Sequence, residues 1–308
     1  MIGTIGRTVL VPDRYLPKKI HRFCGSEKYF LCLFSLFLSF CGVTIDDSVV
    51  TTMKSSHLNQ RQSPLHFRRV EIKYRVADRL VPFLIDRLSP YTEIDPFLRT
   101  NGHTETSYPV TSLYFDSSDF HAMHEKDAGI LSRRKIRLRT YTREFSERHP
   151  CFLEIKRRHD FIVSKDRLSL SVGHLNADLS MSHLLDHVLK KVEAREEVSA
   201  EAHLLRGWYN LQPSALVRYR RIPFVGRQEH RFRVTIDTDL EGAWQPPAFM
   251  GTVPMRVCTP GWSIVELKFN HAIPAWFHDF IQEFELTRTS YSKYATVVRL
   301  LQPQLLDW

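Results

Sequence analysis

After about residue 68, apolar and charged positions alternate with a period of two, and in three places the alternation takes the form Glu-x-Lys: Glu71/Lys73, Glu154/Lys156 and Glu266/Lys268. Residues i and i+2 of a β-strand point to one face, so each pair sends an acid and a base to the same side. Arg137/Arg139, Arg231/Arg233 and Asp237/Asp239 repeat the spacing. A single such pair is what the solvent face of any antiparallel strand carries. Recurrence in strands far apart in sequence instead predicts a closed or strongly curved sheet, apolar on one face and wet and basic on the other. A few glutamates among many cations suit a divalent ion bridging an anionic ligand, because hard cations take carboxylate oxygens while phosphate oxygens take Arg and Lys.

The alternation predicts strands at 70–76, 110–115, 135–142, 151–156, around 160–170, and at 215–223, 232–239 and 263–269. A helix is expected over 77–88, with Leu80, Phe83, Leu84 and Leu88 on one face and Pro82 in its first turn, where proline is tolerated. Asp116-Ser117-Ser118-Asp119 reads as a turn and cap. Leu184, Leu185, Val188, Leu189 and Val192 have helical spacing and place a helical insertion over 181–208. Pro274 and Ser290 stand near the starts of two terminal helices, the second running to about Leu301. Roughly eight strands with few helices give a mainly β, α+β fold: a closed antiparallel barrel with flanking helices and one helical insertion.

Composition narrows the partner. Across 308 residues, 43% are hydrophobic and 25% charged, which is ordinary for a globular chain, but the net charge is +9. That excess favours an anionic ligand. No basic run exceeds three residues, Arg133-Arg134-Lys135 falls inside a strand, and most aromatics occupy the apolar phase, so no nucleic acid is expected. No Gly-rich phosphate loop, Ser-His-Asp or Cys-His arrangement stands out, and the histidines are scattered. Cys24, Cys32 and Cys41 lie early and only Cys151 and Cys258 later, which points to a reducing compartment.

Residues 1–60 read as a segment separate from a domain over 61–308. Positions 29–45 are almost continuously apolar and follow Lys18, Lys19, Arg22 and Lys28, as in an export-signal core or a marginal membrane span. A third reading, a natural start near Met53 and a cytoplasmic product, is favoured.

The ordered series EIKYRV, SLYFDSSD, RRKIRLRTY, FLEIKRR with SKDRL, VRYRRIPF, FRVTIDTDL, SIVELKFN and SKYATVV, from about residue 66 onward, resembles the VTC domain of polyphosphate polymerases within the triphosphate tunnel metalloenzymes. The resemblance implies an eight-stranded tunnel with a basic interior that binds ATP and polyphosphate, and a divalent ion, Mn²⁺ or Mg²⁺, held by a glutamate. Matched position by position, it makes Lys73, Arg137, Arg139, Lys156, Lys165, Tyr219, Arg221, Arg233 and Lys268 the phosphate-facing set, Glu266 the metal ligand, and Ser292 and Lys293 the closing pair of the terminal helix. Structural ion pairing is as good an expectation for Glu154 and Asp237. The hydrolytic relatives carry two glutamates before the first-strand lysine, whereas position 69 here is Arg, which argues against two-metal water activation. The implied activity is transfer of the terminal phosphoryl group of ATP to a growing polyphosphate chain. Alternatives are a non-catalytic polyanion-binding module and a triphosphate hydrolase.

Overall fold

The alternating segments form one antiparallel sheet. A computed structural model describes residues 70–306 apart from positions 97, 99–105, 145–148, 160, 161, 172–174, 176–179, 192–195 and 271. The apolar run at 29–45 and the start near Met53 lie outside the described residues. The strands are β1 (Val70–Ala77), β2 (Thr92–Ile94), β3 (Tyr108–Asp116), β4 (Ser132–Thr140), β5 (Cys151–His159), β6 (Ile162–Leu170), β7 (Gln212–Gly226), β8 (Arg233–Trp244), β9 (Arg256–Val257) and β10 (Trp262–Phe269). Their order is β1-β10-β8-β7-β3-β4-β5-β6, with β2 on β7 and β9 on β8.

The expected closed barrel is not formed: among the described residues no ladder joins the edges β1 and β6. The outer edge of β1 is taken by the segment before the last helix. Tyr74 bridges Arg288, and the Thr289 amide donates to the Lys73 carbonyl at 2.8 Å. Side chains span the seam instead, as Lys156 Nζ of β5 approaches Glu71 Oε2 of β1 to 3.3 Å.

Helices cover the apolar convex face. Against β1, β8 and β10 pack α1 (Val81–Leu88) and α5 (Ala275–Glu283), which bury Leu84, Leu88, Phe277 and Phe280 on Val234, Ile236, Val265 and Leu267. Truncating one of these phenylalanines to Ala would cost about 3–5 kcal/mol. The expected α1 begins with a 3₁₀ turn at Asp78–Leu80, and Phe83, expected on the buried face, is 62% exposed. The helical insertion is two helices, α3 (Leu184–Lys191) and α4 (Glu196–Tyr209), whose Leu184, Val188, Ala202 and Leu205 join Leu138, Leu153, Ile155 and Leu168. The turn after β3 opens an unexpected short helix, α2 (His121–Asp127), where Asp116 Oδ1 accepts from the amides of Ser117 and Ala122, both at 2.9 Å.

The last helix, α6 (Lys293–Leu301), lies on the opposite, concave face. Its Tyr294, Val297 and Val298 fill one end of that face against Val110, Ala215, Val217 and Tyr219. Gly242 permits this approach, since a Cβ there would meet Val297 Cγ1 at 2.4 Å.

Candidate active site

Strand register gathers the charges. Lys73 faces Glu266, Glu71 faces Lys268, Lys268 faces Arg233, and Arg221 faces Asp237. Across the sheet, Arg139 pairs with Ser112 and Phe152, Arg137 with Tyr114 and Glu154, and Lys135 with Lys156, which in turn faces Lys165. Cross-strand partners share a face, so the cationic strand positions anticipated from the sequence point to the concave side.

Two clusters result. In the first, Glu154 is fully buried and is ringed by Arg137 Nη2 at 2.7 Å, Arg167 Nη2 at 2.6 Å, Lys165 Nζ at 3.3 Å and Arg139 Nη1 at 3.7 Å. Burial alone would raise its carboxyl; Arg137, Arg139, Lys165 and Arg167 override it and hold the group far below the carboxylate range. Arg137 Nη1 also donates to the Tyr114 hydroxyl at 2.9 Å. Burial pushes that phenol up, but Arg137 and Arg139 bring it down to about 8. Burial lowers Lys135 and Lys165 to about 8 each.

In the second cluster, Asp237 accepts from Arg221 Nε at 2.6 Å and from Lys293 Nζ at 2.5 Å. Burial opposes ionisation, yet Arg221 and Lys293 hold Asp237 down at about 2. Glu266 lies 3.1 Å from Lys268 Nζ and 3.7 Å from Arg221 Nη2, and these cations with Lys73 keep it ionised well below its usual range despite burial. Lys73 Nζ donates to the Tyr291 carbonyl at 3.1 Å, and Lys293 lies over the Tyr219 ring at 4.5 Å. These contacts tie the start of α6 to the cationic face.

Three anticipated positions differ in detail from the rest. Arg233 faces Lys268 in register but sits at the end of the face, 48% exposed and 3.7 Å from Asp95. Asp239 does not accompany Asp237: a β-bulge opposite Arg218–Arg220 turns it, at φ 52°, to the exterior. Ser292 caps α6, its Oγ accepting from the Ala295 amide at 3.4 Å, which leaves the hydroxyl proton to donate elsewhere. Sequence reasoning missed Tyr114, Lys135 and Arg167, although the period of two running through Lys135/Arg137/Arg139 and Lys165/Arg167 carries two of them.

Among the described residues no group of three or more His, Cys, Asp or Glu is arranged to hold a metal. What the concave face offers is Glu266, the neighbouring Glu71, and Thr235, whose buried Oγ1 lacks a partner and which faces Glu266 in register. One or two carboxylates, with the rest of the shell from phosphate and water, is the donor set that Mg²⁺-type ions take on phosphate substrates, so the residues fit such an ion.

The result is an antiparallel sheet face crowded with Arg and Lys, a lining of the kind that suits phosphate oxygens. The chain belongs to the VTC domain family, whose pattern it matches over residues 68–302. It is 26% identical over 202 residues to vacuolar transporter chaperone complex subunit 4 of Trypanosoma brucei brucei, covering 56% of this chain and 26% of that protein. To the subunit 4 of Trypanosoma cruzi it is 25% identical over 268 residues, covering 74% and 33%. The chain thus spans a quarter to a third of the length of these relatives. Among solved structures, a protein from Hippeastrum classed with adenylyl cyclases and described as having a dominant triphosphatase activity gives a TM-score of 0.39 at 14% identity, covering 74% of this chain and 94% of its own. No helix among the described residues is long and apolar enough to cross a membrane.

Proposed function

We propose that this chain is a polyphosphate polymerase: it binds ATP and the end of a polyphosphate chain on the concave face and transfers the terminal phosphoryl group from one to the other. The observation that carries the reading is the surplus of cations there, Arg137, Arg221 and Lys268 largely shielded from solvent, held in place by few carboxylates. Phosphoryl transfer asks a protein chiefly for positioning and charge stabilisation. An oxygen of the chain end attacks the γ-phosphorus, the bond to the β-bridging oxygen breaks, and ADP leaves. The attacking oxygen is already ionised at neutral pH, so no general base is required.

Arg137, Arg139, Lys156 and Lys165 would hold one stretch of phosphate, and Lys73, Arg221, Lys268 and Lys293 the other, with Tyr219 beneath Lys293. Glu266, aided by Glu71, would hold Mn²⁺ or Mg²⁺, which when bound neutralises charge shared between phosphates. ATP as donor favours a cytoplasmic location for the working protein. Incubating the purified chain with ATP and Mn²⁺ should release ADP and build an acid-insoluble phosphate polymer. Tight, salt-sensitive tripolyphosphate binding without ADP release would make it a binding module; free phosphate in place of polymer would make it a hydrolase.

A further inference from the structure

One end of the cationic face carries rings instead of charges. Tyr108 opens β3, Phe152 lies second in β5, and Tyr141 directly follows β4. Phe152 faces Arg139 and Tyr108 faces Arg221, so both rings belong to the charged face. Tyr141 meets Tyr108 edge-on with centroids 5.5 Å apart and Phe152 at 6.0 Å. None of the three is fully buried.

Arg167 organises this end. Its guanidinium carbon lies 4.3 Å from the Phe152 centroid. Nη2 donates to the Tyr141 hydroxyl at 2.9 Å and sits 2.6 Å from Glu154, while 33% of the side chain stays exposed. The plane is therefore backed by a ring and pinned along its edge by a phenol and a carboxylate, and part of it remains open. Phosphate alone gains nothing from rings. A guanidinium plane and aromatic faces beside a phosphate site suit a flat heteroaromatic group attached to phosphates.

We infer that this end seats the nucleoside base of a nucleoside triphosphate, stacked on the open face of Arg167 with Phe152 behind and Tyr141 beside it, the triphosphate running inward to Arg139. Resting on the nucleotide-dependent reading above, this adds where the base binds and how selectively. Fixing Arg167 in advance spares the ordering cost of a mobile side chain. The rings present π faces, and the Tyr141 hydroxyl is already engaged, so stacking area sets the preference: purine over pyrimidine, with adenine and guanine alike.

Calorimetric titration of the full chain with ATP, GTP, CTP and tripolyphosphate tests this, because the three nucleotides carry the same charge. ATP and GTP should bind alike and about tenfold more tightly than CTP. Phe152→Leu, which keeps an apolar side chain, and Arg167→Lys, which keeps the charge but loses the plane, should each cut the ratio of ATP to tripolyphosphate affinity by about tenfold. A ratio taken within one variant does not depend on how much of it is folded. Equal affinity for ATP and CTP in the unaltered chain, or an ATP to tripolyphosphate ratio that neither variant moves, overturns the base seat and leaves the phosphate site standing. Failure to bind any triphosphate, tripolyphosphate included, removes both.

Discussion

The two charge clusters on the concave face look alike in sequence and differ in balance. Around Glu154 one buried carboxylate faces Arg137, Arg139, Lys165 and Arg167. Around Arg221 the carboxylates Asp237 and Glu266 stand close together and share it with Lys268 and Lys293, beside a Thr235 hydroxyl that has no partner. The first is a positive reservoir that a single anion keeps from flying apart; the second has carboxylate to spare for a metal. Like charges repel strongly when desolvated, so a site for polyanions needs such an internal counter-charge to survive empty.

Glu154→Gln should produce the largest effect, since it removes the shared counter-charge of two largely buried cations, Arg137 and Arg139, and two partly exposed ones, Lys165 and Arg167. We expect a loss of roughly 3 kcal/mol in urea unfolding, substantially recovered by saturating tripolyphosphate. An unchanged midpoint would show that the reservoir needs no anchor. At the other cluster, Glu266→Gln should leave stability nearer that of the unaltered chain but lower Mn²⁺-dependent ADP release about 30-fold, roughly 2 kcal/mol of barrier. Equal effects of the two variants on stability and on metal dependence would erase the distinction.

A smaller effect, of several-fold, follows from pH. Lys135 and Tyr114 both titrate near 8 in the folded chain, below their ordinary values of 10.5 and 10.0. Between those limits the unfolded chain binds more protons, so stability of the empty protein should rise from pH 8 to 10. Tripolyphosphate affinity should fall over the same interval, because the site loses a cation and gains a phenolate. Parallel trends in melting temperature and affinity would contradict this. Asp237, held at about 2, works the other way: its contribution, present above the usual carboxylate range, is lost as pH falls toward 2. The smallest effect belongs to Arg233→Ala, at the exposed end beside Asp95, where we expect tripolyphosphate affinity to change less than about threefold in the same titration.

Much of this face was legible because period two is a property of the strand backbone: Lys73, Arg137, Arg139, Lys156, Lys165, Arg221 and Lys268 fall where the alternation puts them. What periodicity cannot give is position along the sheet axis, which is why Arg233 lies at an end. Nor can it foresee an inserted residue, which is how the bulge at Asp239 reverses an apparent pair. Barrel closure was misjudged because the competitor for the edge of β1, the segment at Arg288–Thr289, carries no strand-like pattern. The rings at Tyr141 and Phe152 were overlooked because aromatics were assigned wholesale to the apolar phase.

The helix α6 sits where the sheet's own hollow would be, with the Tyr294 hydroxyl donating to Asp116 and its ring stacked on Tyr114 at 5.1 Å. Since this helix lies at positions 293–301, a chain emerging from the ribosome builds every strand before the piece that completes their inner surface exists. Until then Val110, Val217 and Gly242 face water.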